Sequence, residues 1–157
     1  YRLNSLWCIT TIVHTNIDLN LWGSMAGETI LVVEDNPLNM ELVSDILEAQ
    51  GYTVRQAING KEAIQEAESH IPDLILMDIQ LPGLDGLTVT GIIKDAPATT
   101  HVPIIALTAH AMRGDEEKAR EAGCDGYISK PIDTRSLPQT IRQFLDATSE
   151  SPSKESS

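Results

Sequence analysis

Asp73-Leu74-Ile75-Leu76-Met77-Asp78, followed at once by Ile79-Gln80-Leu81-Pro82-Gly83-Leu84-Asp85-Gly86, decides how this chain is read. The apolar run is short enough for a strand buried on both faces, as in a parallel sheet. It ends in a carboxylate, Asp78, that opens into a Pro/Gly loop. Open α/β sheets place their chemistry at such carboxyl ends of strands. A second run, Thr29-Ile30-Leu31-Val32-Val33, ends the same way in Glu34-Asp35. Two strand ends with three carboxylates are enough to gather a hard divalent cation.

Outward from these two runs, strands and helices alternate. Strands are expected at 29–33, 52–57, 73–78, 103–107 and 126–129. The helix after the first strand has Pro37 in its first turn and Gly51 at its end. Its apolar face is read as Leu38, Leu42, Val43, Ile46 and Leu47. A second helix opens near Gly60 and buries Ala63, Ile64 and Ala67. A third runs from about Leu87 to Lys94, a fourth from about Ala111 to Ala122, and a fifth from about Ser136 to Ala147. The fifth presents Leu137, Ile141, Phe144 and Leu145. Five βα units imply an α/β fold, an open doubly wound sheet with helices on both faces. A closed eight-fold barrel needs roughly 250 residues, more than this chain has.

The chain has 157 residues, 41% hydrophobic but only 4% aromatic, so the core is built from Ile, Leu, Val and Ala. The net charge of -12 argues against binding to nucleic-acid phosphates. Cys8 and Cys124 form no CxxC pair and suggest no disulfide framework. A reduced, cytoplasmic compartment is expected. The apolar stretch Leu6–Val13 is too short to span a bilayer and has no signal-peptide flanks. Residues 1–24 look foreign to the rest of the chain. Gly23-Ser24 before Met25 resembles a cloning junction, and Met25 resembles a native start. The expected organisation is an added extension over 1–24, one domain over 25–147 and a disordered, Ser-rich tail over 148–157. Within the extension, Cys8 and His14 are read as unrelated residues rather than ligands.

Four positions come directly after apolar strands: Glu34-Asp35, Asp78, Thr108 and Lys130. In a parallel sheet they converge on one edge. The acids suit Mg²⁺, which prefers oxygen ligands and keeps several waters. Asp78 is then the natural nucleophile, because a carboxylate can form an acyl phosphate. Lys130 and the groups near Thr108 would stabilise the added charge. Taken singly, each has a plainer role: Glu34-Asp35 and Thr108 as helix caps, Lys130-Pro131 as a loop. The plain roles do not account for the joint order, with steps of 43, 30 and 22 residues from Asp35 through Asp78 and Thr108 to Lys130. Asp85-Gly86 is kept as a turn. His110 is read as a helix-start side chain. Arg113, Lys118 and Arg120, among Asp115, Glu116, Glu117 and Glu121, form a mixed solvated face.

Taken together, the residues resemble the receiver domain of two-component response regulators, the CheY-like family. The matching elements are Ile30-Leu31-Val32-Val33-Glu34-Asp35-Asn36, Leu76-Met77-Asp78 with Pro82 and Asp85-Gly86, Ala106-Leu107-Thr108-Ala109, and Gly123-Cys124-Asp125-Gly126-Tyr127 with Lys130-Pro131. The wording is nearest to stand-alone regulators of the DivK type and to receivers of hybrid kinases. The resemblance implies a five-stranded parallel sheet of order 2-1-3-4-5. It implies that Asp78 accepts a phosphoryl group from a histidine kinase or histidine phosphotransfer protein. Glu34, Asp35, Asp78 and the Gln80 backbone carbonyl would hold Mg²⁺. Thr108 and Lys130 would meet the phosphoryl group, and Tyr127 would move inward with Thr108. The face of the fourth helix, fifth strand and fifth helix would bind a downstream protein, with neither nucleic acid nor membrane as partner. Gln80 and His110 match positions that tune phosphoryl lifetime, and the Lys130–Pro131 bond is expected to be cis. The chain would be a regulator rather than an enzyme with turnover.

Two other readings use the same residues. One is an aspartyl-phosphate hydrolase of the haloacid dehalogenase type. That class has a second acid two residues after the nucleophile, where this chain has Gln80, and a cap domain for which there is no room. The other is a receiver-like binding module that works without phosphorylation, although every site position here is filled. No output domain is read after residue 147, so either a single-domain regulator or a receiver excised from a longer protein is expected, and Gly23-Ser24-Met25 favours the first.

Overall fold

The computed structural model describes residues 27–109 and 113–149. Ten elements alternate along it: β1 (Thr29–Val33), α1 (Pro37–Ala49), β2 (Thr53–Ala57), α2 (Gly60–Ser69), β3 (Leu74–Asp78), α3 (Gly86–Asp95), β4 (Ile104–Thr108), α4 (Arg113–Ala122), β5 (Gly126–Ser129) and α5 (Leu137–Ser149). The strands form one sheet of order β2-β1-β3-β4-β5, and every pairing is parallel.

Alternation along the strands sorts the core into two layers. Ile30, Val32, Leu74, Leu76, Ile105 and Leu107 face α1 and α5, where they meet Val43, Leu47, Ile141 and Leu145. Leu31, Val33, Ile75, Met77 and Ile104 face the other way, onto Ala63 and Ala67 of α2 and Val89 and Ile93 of α3. The middle strands β3 and β4 are buried at every residue, so their sequences are apolar throughout all but their last positions. Side-chain caps start three helices. Asn36 accepts from Leu38 N–H and Asn39 N–H, Asn59 from Glu62 N–H, and Asp85 from Thr88 N–H. Each cap comes directly off a strand end or its loop, which fixes how the chain turns at the sheet edge.

The structure corrects the reading of α1. Leu38 is 75% exposed and Leu42 44%, so neither belongs to the core. The buried face is Met40, Val43, Ser44 and Leu47. Ser44 can sit inside because its hydroxyl accepts from Gln56 Nε2 at 2.9 Å. Strand limits differ from expectation by one residue at most: Tyr52, Asp73 and Pro103 precede their strands, and Thr108 closes β4. At the far end α5 runs to Ser149, past the expected domain limit at 147. The Thr148 hydroxyl donates to the Phe144 carbonyl, which helps carry the last turn onward. Residues 1–26, with Cys8 and His14, and residues 110–112, with His110, lie outside the described residues, as does the tail beyond 149.

Candidate functional site

Asp78 is the last residue of β3 and is almost fully buried. Its Oδ1 accepts the N–H of Gln80 at 2.8 Å, and its Oδ2 accepts from Lys130 Nζ at 2.9 Å. Glu34 comes just after β1 and is equally buried. Its Oε1 accepts Asn36 N–H at 3.1 Å, and its Oε2 takes a second bond from Lys130 Nζ at 2.8 Å. One ammonium group therefore bridges two carboxylates from neighbouring strands. Asp35 is exposed beside them. Ligand oxygens of Glu34, Asp35 and Asp78 lie within 4.8 Å of one another.

The backbone fixes these positions. Lys130 N–H donates to the Thr108 carbonyl at 2.7 Å, which carries the β4–β5 pairing past Ser129 and holds the lysine at the sheet edge. The Lys130–Pro131 peptide is cis, as expected. Ile79 N–H donates to the Leu107 carbonyl at 3.1 Å and anchors the loop after Asp78 to β4. Gly86 opens α3 against the backbone of Asp78 and Ile79; a Cβ there would collide with the Asp78 carbonyl oxygen. Asp85-Gly86 is thus a helix cap and a close approach, in keeping with its structural reading.

The charges are unbalanced. Burial pushes the Glu34 carboxyl above the usual carboxylate range, against the pull of Lys130 and Asn36, and Asp78 adds to the rise. Burial alone would lower the Lys130 ammonium, but its bonds to Glu34 and Asp78 outweigh this and hold it above its ordinary value. Three carboxylates facing one ammonium form a cation-hungry cluster of hard oxygen donors, the chemistry that suits Mg²⁺.

The structure places the remaining expected residues around this cluster. Thr108 is fully buried at the end of β4, next in the sheet to β3. Gln80 is exposed on the loop. Tyr127 is half-buried on the edge strand β5, where it lines a small groove with Glu116 and Arg120 of α4. Cys124 is a free thiol, half-buried, its Sγ 3.8 Å from the Thr90 hydroxyl. Sequence reasoning missed the Lys130–Glu34 bond and the two N–H groups, of Asn36 and Gln80, that orient the carboxylates. It also missed Leu42, which borders a hollow with Ala109, Lys130 and Pro131. The helix-cap pattern of Asn36 was the one local signal for any of these.

A family profile described as the response regulator receiver domain matches residues 30–142. This chain belongs to the response regulator receiver family. Among its relatives, the polar-differentiation response regulator DivK of Brucella anthropi is 51% identical over 118 residues, which cover 75% of this chain and 96% of that protein. DivK of Brucella ovis is 50% identical over the same length. Solved structures agree. The receiver domain of the sensor histidine kinase PA1611 of Pseudomonas aeruginosa aligns with a TM-score of 0.72 at 40% identity, covering 77% of this chain and 99% of that one. That structure is described as having a magnesium ion coordinated in its active-site cleft. The chemotaxis protein CheY4 of Vibrio cholerae aligns at 0.73 with 25% identity, over 76% of this chain and 99% of its own. The protein is a receiver domain of a two-component response regulator, similar to DivK. The hydrolase and phosphorylation-independent readings find no support in these matches. Among the described residues no helix is long and apolar enough to cross a membrane.

Proposed function

We propose that Asp78 is the phosphoacceptor of this receiver domain. The observation that carries the reading is the contact of Asp78 Oδ2 with Lys130 Nζ at 2.9 Å, within a cluster that also holds Glu34 and Asp35. A carboxylate oxygen of Asp78 attacks phosphorus on a donor phosphohistidine. An O–P bond forms, the N–P bond breaks, and imidazole leaves. Glu34, Asp35, Asp78 and the Gln80 carbonyl are the groups that would hold Mg²⁺. When bound, the ion supplies positive charge to the phosphoryl oxygens. Lys130 brings a second positive charge to the same edge, and its two anchoring carboxylates keep it aimed there. The Gln80 N–H fixes the carboxylate plane, so the attacking oxygen is already oriented.

The donor is a histidine kinase or histidine phosphotransfer protein, and Leu38 and Leu42 offer it an exposed apolar flank beside the site. The Thr108 hydroxyl answers the phosphoryl group and Tyr127 moves inward after it, biasing the face of α4, β5 and α5 toward a downstream protein. Phosphoryl turnover is confined to this chain's own Asp78, in the cytoplasm where its donor works. The test is incubation with Mg²⁺ and a small phosphodonor, then mass spectrometry of the intact protein. One added phosphoryl group, labile to hydroxylamine and dependent on Mg²⁺, is expected. Its persistence in Asp78→Ala would overturn the assignment.

A further inference from the structure

The two flanks of α1 differ, and one extends well beyond the phosphoryl site. On the side away from Lys130, a groove of about 790 Å³ runs between α1, the end of β2 and the start of α2. Apolar groups, Met40, Ile58 and Pro82, contribute to its lining. Ile58 is 55% exposed, although a large aliphatic side chain on a solvated turn contributes nothing to the core. The wall on the α1 side carries Glu41, Asp45 and Glu48, and one end of the groove is lined by Glu34 and Asp35 of the acidic cluster.

Folding does not explain this arrangement. Glu41, Asp45 and Glu48 stand at i, i+4 and i+7 on one helix, where like charges repel. Glu48 lies in the last turn of α1, the end of a helix dipole that disfavours a negative charge. Among the described residues none of the three has an ion-pair partner, and no Lys or Arg lines the groove. Elsewhere among the described residues Glu28, Glu34, Glu66, Asp78 and Asp125 each meet a cation, while other surface acids, such as Glu68 and Asp95, do not.

We propose that this groove docks a basic amphipathic polypeptide segment of a partner protein. Lys and Arg of the segment would pair with Glu41, Asp45 and Glu48, and its apolar side chains would cover Ile58 and Pro82. The rise of α1 separates Glu41 from Glu48 by about 10 Å along the axis. A single small cation cannot bridge that distance, whereas a chain with repeated positive charges can. The apolar floor favours a polypeptide over a hydrophilic polyamine, and the negative walls exclude nucleic acid. The proposal does not depend on Asp78 accepting a phosphoryl group.

The test uses the full chain, ¹⁵N-labelled, titrated with a short peptide of alternating Lys and Leu. A Lys/Ser peptide of equal charge and spermine serve as controls. Amide shifts are expected at Glu41, Asp45, Ile58 and Asn59. The combined Glu41→Lys and Asp45→Lys variant should weaken binding by about tenfold or more, since each attraction becomes a repulsion. Ile58→Ser should weaken it too, and it guards against a folding defect in the charge-reversed protein. Phosphoryl uptake from a small donor should be unchanged in both variants. Shifts confined to the Leu38–Leu42 flank, equal affinity in the variants, or equal affinity for the Lys/Ser peptide or spermine would each overturn the proposal.

Discussion

Two ion clusters sit at opposite edges of the same sheet, and both tie distant parts of the chain together. At the carboxyl edge Lys130 bridges Glu34 and Asp78, with Asp35 alongside. At the amino edge Arg142 of α5 grips Glu28, just before β1, through both guanidinium nitrogens at 2.8 and 3.2 Å, and also pairs with Asp146. Its Nη1 lies 3.5 Å from the Tyr52 hydroxyl. The Arg142 cluster is partly exposed and geometrically satisfied, a planar fork on a planar carboxylate. The Lys130 cluster buries Glu34 and Asp78, holds one more acid than its opposite in the exposed Asp35, and uses a point charge that can turn between partners. The first arrangement closes the fold. The second leaves the larger deficit of positive charge, two carboxylates in excess rather than one, which suits the proposed site for a cation and a phosphoryl group.

Breaking each cluster should show the difference, and the largest effect is expected at Lys130. Lys130→Met strips two buried carboxylates of their shared cation, which costs about 3 kcal/mol in Mg²⁺-free buffer. Much of the loss should return with Mg²⁺ in denaturant melts; no recovery would mean that the acids do not gather the ion. Gly86→Ala, which drives a methyl group into the Asp78 backbone, should cost about 2 kcal/mol and slow phosphorylation together. Arg142→Met should cost about 1 kcal/mol, independent of Mg²⁺, with phosphoryl uptake intact. Asp35→Asn should have the opposite sign. It relieves repulsion, raises apo stability by about 0.5 kcal/mol and weakens Mg²⁺ binding seen by calorimetry.

The smallest effect is in pH dependence. Glu34 has a folded pKa above its unfolded value, so its contribution is complete below the unfolded pKa and is lost as pH rises through the folded one. Glu34→Gln should therefore gain stability relative to wild type as pH rises above about 4.5. Arg142 is also held above its ordinary value, by its bonds to Glu28 foremost, so its charge persists far into alkali. The Arg142→Met difference should stay flat over the same window. A flat Glu34→Gln curve would remove the electrostatic contrast between the edges.

Much of this was legible in the chain. Strands buried on both faces read as continuous apolar runs, and parallel pairing sends every carboxyl end to one edge, so Asp78, Thr108 and Lys130 could be grouped before any coordinate. The Arg142–Glu28 pair could not be read, because 114 residues separate the partners and no periodicity links them. The exposure of Leu38 and Leu42 was also hidden. Helical spacing finds an apolar stripe but not where the core stops along its width, and here Ser44 took an inside place through its bond to Gln56. Lys130 was legible as a residue of the site, yet its equal hold on Glu34 depends on side-chain reach that spacing does not encode.

The most direct measurement is the position of the phosphoryl group itself. The phosphorylated chain is reduced with borohydride, which converts an aspartyl phosphate to homoserine, and its peptides are mapped by tandem mass spectrometry. The mark is expected at Asp78 and at no other carboxylate. A mark at Glu34 or Asp35, or an Asp78 that stays unmodified while the intact protein gains a phosphoryl group, would contradict the assignment of Asp78 as the phosphoacceptor.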